Sequence, residues 1–157
     1  MEDIAFEDVH GRYHAVDVKT HRSGMAFSMP NLTSVKRLME FYQSDDNVFS
    51  ILLVTYSVNG HSIAIDKVEF CPVEFISWEC LTIGALGWGQ IQIRDSNIFI
   101  VDPDQSRSEW MIQLCDRLDA FYPREIDKIR RRIDFVSHIR GLWNTPPEDG
   151  DHIARPT

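Results

Sequence analysis

The chain has 157 residues, 43% of them hydrophobic and 11% aromatic, with 16 Lys and Arg against 24 Asp and Glu for a formal net charge of -8. That length fits one domain able to bury a core without disulfides or a structural metal. No apolar run approaches the roughly 20 residues that span a bilayer, and the acidic balance argues against a protein that coats nucleic acid through phosphate neutralisation, although a clustered cationic groove stays compatible with it.

The start, Met1-Glu2-Asp3-Ile4-Ala5, lacks the basic-then-apolar layout of a secretory signal, so a cytoplasmic protein is expected. Cys71, Cys80 and Cys115, odd in number and without paired ligand spacing, read as reduced thiols. Two strand-like runs, Asp3 to Val9 and Tyr13 to Lys19, flank His10-Gly11-Arg12, a candidate tight turn. Side chains two apart on a strand share a face, so Asp17 and Lys19 project together while Val16 and Val18 point away. Folding the hairpin carries Asp3 towards Asp17, where two carboxylates can hold a hard divalent cation such as Mg2+ and a nearby ammonium can orient a water.

After Lys19, Gly24 and Pro30 mark a loop in which His21 and Arg22 either touch a phosphate or form a solvated pair. Asn31 or Thr33 is expected to cap a helix whose apolar positions are Leu32, Val35, Leu38, Met39 and Tyr42. Val48 to Tyr56, apolar on both faces, reads as a central strand reached by a β-α-β crossover from Tyr13 to Lys19. Asn59-Gly60 then turns the chain into an antiparallel strand, Ser62 to Phe70, whose Asp66 and Glu69 fit a solvated face better than a metal site.

Gly84, Gly87 and Gly89 match no nucleotide-binding spacing. Trp88, Gln90 and Gln92 beside them either reach the edge of a DNA groove or line the wet face of a bulged strand. Asp95-Ser96-Asn97 is read as a turn into a last strand, Ile98 to Val101. Ser106-x-x-Glu109 is a capping box ahead of Trp110, Leu114, Leu118 and Phe121. Pro123 is expected to break or restart that helix. The helix beyond it carries Ile126, Ile129, Ile133, Val136 and Leu142, with Lys128, Arg130, Arg131, Arg132 and Arg140 on other faces. From Thr145 the composition reads as a flexible tail, leaving residues 1–144 as the folded domain.

Asp3, then Asp17-x-Lys19 on a hydrophobic strand, resembles the PD-(D/E)XK nuclease signature, and Ala15-Val16-Asp17-Val18-Lys19-Thr20 is similar to its form in type II restriction endonucleases. Glu2 stands where that family usually has Pro. The resemblance implies an α/β fold of restriction-endonuclease type, a mixed central sheet flanked by helices, and Mg2+-dependent hydrolysis of double-stranded DNA by a homodimer. It assigns catalysis to Asp3, Asp17 and Lys19, and metal binding to Asp3, Asp17 and the carbonyl of Val18. It also requires some later segment to read DNA, for which His21, Arg22, Trp88, Gln90 and Gln92 are the candidates. The family usually places a helical region before its first acid, so the domain is expected to extend ahead of Met1. The alternatives are a repair or recombination nuclease, or a non-catalytic DNA-binding or interaction module that keeps the fold.

Overall fold

Gly11, at φ 76°, takes the left-handed conformation that the first turn needs, and Asp8 secures it by accepting the N–H groups of His10 (2.8 Å) and Arg12 (3.0 Å). The expected hairpin therefore forms, pairing β1 (Ile4–Glu7) with β2 (Tyr13–Arg22) in the register Ile4 to Val16 through Glu7 to Tyr13. The computed structural model describes residues 3–25, 29–94 and 100–144. The tail expected from residue 145 lies outside them. The described residues divide into two compact units, one ending at Leu118 and the other beginning at Asp119.

The first unit is a mixed α/β assembly. β2 runs parallel to β4 (Asn47–Asn59), which pairs antiparallel with β5 (Ser62–Pro72), giving a four-stranded sheet in the order β1-β2-β4-β5. The strand at Val48 to Tyr56 is thus central, as its two-sided apolar pattern requires, and Gly60 at φ 63° makes the turn to β5. The crossover from β2 to β4 contains a short strand, β3 (Asn31–Ser34), then α1 (Val35–Phe41).

The expected helix start at Asn31 or Thr33 is corrected here. Asn31 to Ser34 pair with β7 (Gln90–Ile93), so a distant strand claims Leu32 and Thr33, and Ser34 is the cap, its Oγ accepting the Arg37 N–H at 3.2 Å. β7 also pairs with β6 (Leu81–Gly84), forming a second, three-stranded sheet in the order β3-β7-β6. The glycine-rich segment is therefore a hairpin rather than one bulged strand, with Gly87 at φ 58° and Gly89 at φ 110° in its turn.

Ile91, Ile93, Ile51, Leu53, Val35 and Leu38 are almost fully buried and form the centre of this unit with Trp110 and Leu114. The Trp78 and Trp110 rings stack with centroids 4.8 Å apart, and each indole N–H is satisfied, by Trp110 O at 3.3 Å and Ile76 O at 2.8 Å.

The last strand expected at Ile98 to Val101 is not built as one in its described part. Val101 makes a single bridge to Ile76, flanked by Ser77 N–H to Ile100 O and Asp102 N–H to Phe75 O, both 2.8 Å, because its neighbour is an irregular segment following a 3-10 turn, Val73–Phe75. Ile98, Phe99 and the turn before them lie outside the described residues.

The capping box forms as expected: Ser106 Oγ accepts the Glu109 N–H at 3.2 Å while Glu109 Oε2 accepts the Ser106 N–H at 2.8 Å. It opens α2 (Arg107–Asn144), 38 residues that run through Pro123 without interruption. The expected break does not occur. Proline deprives the Asp119 carbonyl of its usual N–H, but the turns on both sides are fully helical, and Arg124 Nε donates to the neighbouring Ala120 O at 3.0 Å.

Candidate active site on strand β2

Asp17 lies two strand positions before the edge of cover on β2, 7% exposed, between the buried Val16 and the half-buried Val18. Parallel pairing with β4 sets it opposite Ile51, and Lys19 opposite Leu53, so both project from the face that carries these core residues. Lys19 Nζ stands 2.7 Å from Asp17 Oδ2. This is a close ionic contact, and among the described residues no donor is well directed at that oxygen.

The hairpin delivers the second acid. Asp3 N–H donates to Val16 O at 3.0 Å, and Asp3 Oδ2 accepts the Val18 N–H at 2.7 Å, fixing the Asp3 carboxylate beside the β2 backbone one residue past Asp17. A residue in an extended strand presents its N–H and C=O to the same side, so the Val18 carbonyl faces the Asp3 side as well. Burial pushes the Asp17 carboxyl above its ordinary 3.8; Lys19 pulls it down, and the Asp3 charge adds to the upward push.

These donors fit a hard divalent cation: two carboxylates and a backbone carbonyl, with an ammonium beside them. Among the described residues no group of three or more His, Cys, Asp or Glu side chains gathers to hold a metal, so such a cation would keep several waters, as Mg2+ does. No further carboxylate joins from β5. Asp66 accepts the hydroxyls of Ser23 (2.6 Å) and Ser57 (2.9 Å), and Glu69, which shares a cross-strand row with Leu53 and Lys19, pairs with Lys67 at 2.8 Å.

Of the remaining candidates, His21 and Arg22 are corrected in their surroundings. They are strand rather than loop, because β2 keeps pairing with Thr55 and Tyr56 and turns only at Ser23. His21 shares the Asp17 and Lys19 face; Arg22 points to the other. Gln90 and Gln92 stand on β7 of the second sheet, and Trp88 lies in the turn before it. Trp88 is exposed with Lys36 Nζ 5.5 Å from its ring centre. Gln92 Nε2 donates to Asn31 Oδ1 at 2.5 Å and its side chain lies over Gly84, where a Cβ would come within 2.5 Å of its Oε1. That glycine makes room for the amide.

A second buried carboxylate escaped the sequence reading. Glu74 accepts the Tyr42 hydroxyl at 2.6 Å and Arg107 NH2 at 3.0 Å, while Arg107 NH1 reaches Asp45 O at 2.9 Å and the guanidinium lies 4.5 Å from the Tyr42 ring centre. Its partners are 32 and 33 residues away, and no local motif announces them.

No protein-family model and no curated protein matches this chain.

Proposed function

We propose that the chain is a Mg2+-dependent endonuclease that hydrolyses phosphodiester bonds of double-stranded DNA, of the sequence-specific restriction type and acting as a homodimer. The observation that supports this most is the convergence of Asp3, Asp17 and Lys19 midway along β2, two acids and one ammonium with the Val18 backbone between them. It matches the residue pattern of the PD-(D/E)XK resemblance. Asp3, Asp17 and the Val18 carbonyl would hold Mg2+, which would supply Lewis-acid stabilisation of charge on the phosphate.

The chain's own groups do the rest. Lys19, held 2.7 Å from Asp17, directs a water towards phosphorus; a new P–O bond forms as the bond to the leaving sugar oxygen breaks, and the water's proton passes to solvent or a phosphate oxygen. Asp17 keeps Lys19 in place and, being withdrawn from water, makes the local field strong.

Incubation of phage DNA with Mg2+ tests the reading. Discrete fragments that disappear in Asp17→Ala support it; a smear of products assigns the site to an unspecific nuclease. If DNA stays intact and Asp17→Ala changes neither Mg2+ uptake nor DNA affinity, the chain is a non-catalytic module and the proposal fails.

A further inference from the structure

The sheet face that carries Asp17 and Lys19 changes character immediately beyond them. Strand register sets its side chains in rows across β2, β4 and β5: Asp17 with Ile51 and Cys71, Lys19 with Leu53 and Glu69, then His21 with Thr55 and Lys67. Ile51, Leu53 and Cys71 are buried, whereas His21 and Thr55 are half-buried and Lys67 is exposed. The core therefore ends between the second of these rows and the third. The strands do not end there, since β4 and β5 stay paired as far as Asn59 and Ser62. On the opposite face of this stretch Val54, Val58, Ile65 and Val68 remain apolar, Ile65 at 67% exposure. Contact with water alone does not account for the polar row, because the other face of the same strands meets water with hydrocarbon.

We propose that the row His21, Thr55 and Lys67 binds a phosphate of the DNA backbone, the one next to the phosphate at Asp17 and Lys19 on the same strand. Two residues of a β-strand advance about 6.6 Å, a step of the same order as that between neighbouring phosphates of one polynucleotide strand. Hydroxyl and ammonium donors to phosphate oxygens fix a duplex in register without reading its sequence, and an imidazole N–H adds a third donor. Among the described residues only Lys67 of the three has a side-chain partner, Glu69 Oε1 at 2.8 Å. An ammonium has three N–H groups, so one acid neighbour leaves others for a phosphate. With Lys19, Lys67 gathers positive charge on one face, which an acidic chain needs in order to hold a polyanion. Glu69 works against that attraction. The place of this phosphate relative to the cleaved bond rests on the nuclease reading; the binding itself does not.

Fluorescence anisotropy of a labelled random-sequence duplex, over a salt series and with Ca2+ in place of Mg2+ to hold back cleavage, tests the site. Lys67→Gln should lower affinity roughly tenfold and reduce the slope of log affinity against log salt by about 1, with circular dichroism unchanged. Thr55→Val and His21→Ala should each weaken binding, and Glu69→Gln should strengthen it. Arg37→Gln removes the same charge from an exposed position on α1 near the Ala15 end of β2, and should have little effect. Row variants that bind like the parent while the parent cleaves DNA overturn the inference and leave the nuclease reading standing. A parent without affinity for the duplex at low salt overturns it as well, and so does an equal loss in Arg37→Gln, which would make the attraction diffuse. If DNA stays uncut in Mg2+ while the row variants lose affinity, the phosphate site stands and hydrolysis at Asp17 falls.

Discussion

Asp17 and Glu74 are carboxylates withdrawn from water in the same unit, 7% and 6% exposed, and the fold treats them in opposite ways. Glu74 meets a phenol and a guanidinium that is itself held by a backbone carbonyl, so each oxygen has a directed donor. Asp17 meets one ammonium at an angle that makes no proper hydrogen bond, and a second acid nearby that raises the cost of its charge. A buried acid that is fully answered fastens two parts of a fold together. One left partly unanswered is disfavoured in the charged state.

Substitutions at the two sites should separate these roles. The largest effect belongs to Lys19→Ala, which should cut DNA hydrolysis by about 10²–10⁴-fold, measured by fragment release under single-turnover conditions, with the chain still folded though less stable because Asp17 loses the cation that offsets its burial. Loss of folding instead of activity would return Lys19 to a purely structural part. Glu74→Ala should invert that result: removing the acid strands Arg107 and the Tyr42 hydroxyl and costs roughly 3–5 kcal/mol of stability in urea unfolding.

The smallest effect has the opposite sign. Because Asp17 has a raised pKa in the folded chain, its ionisation opposes folding; that penalty is absent below the ordinary 3.8, appears as pH rises through the raised value, and persists at neutral pH. Asp17→Asn should therefore raise the melting temperature by a few degrees at pH 7 in EDTA, about the size expected for a modest change in a small domain. The gain should shrink as pH falls towards 3.8. Asp8 tests the sign from the other side. Arg12's N–H, with help from His14, holds its carboxyl down to about 2, so what it contributes is lost only as pH drops from 3.8 towards that value. If Asp17→Asn lowers stability at pH 7, the Lys19 ion pair outweighs burial and the contrast with Glu74 collapses.

Much of the first hairpin could be read from the chain because its determinants are local: Gly11 for the turn, alternation for the Asp17 and Lys19 face, and a return stroke that brings Asp3 home. Local signals misled where a distant partner decided. Leu32 has helical spacing from Val35 and Leu38, yet β7, some sixty residues on, draws it into a strand. His21 and Arg22 precede a glycine loop but stay extended because β4 offers partners two residues further. Pro123 carries a breaker's signature that a long helix absorbs. Glu74 was invisible for a simpler reason: an acid in a hydrophobic stretch shows its role only when Tyr42 and Arg107, each over thirty residues away, are folded against it.

β1 stops at Ile4, and the N–H of Val18 is taken by a side chain, the Asp3 carboxylate, where a longer neighbouring strand would have offered a carbonyl. The sheet is thus closed at this point by a latch that can be drawn. Under the proposed function, a cation recruiting Asp3 Oδ2 would draw on the oxygen that accepts this N–H, so its binding would be read at one backbone amide. Hydrogen exchange at Val18 becomes a gauge of the site that needs neither substrate nor turnover.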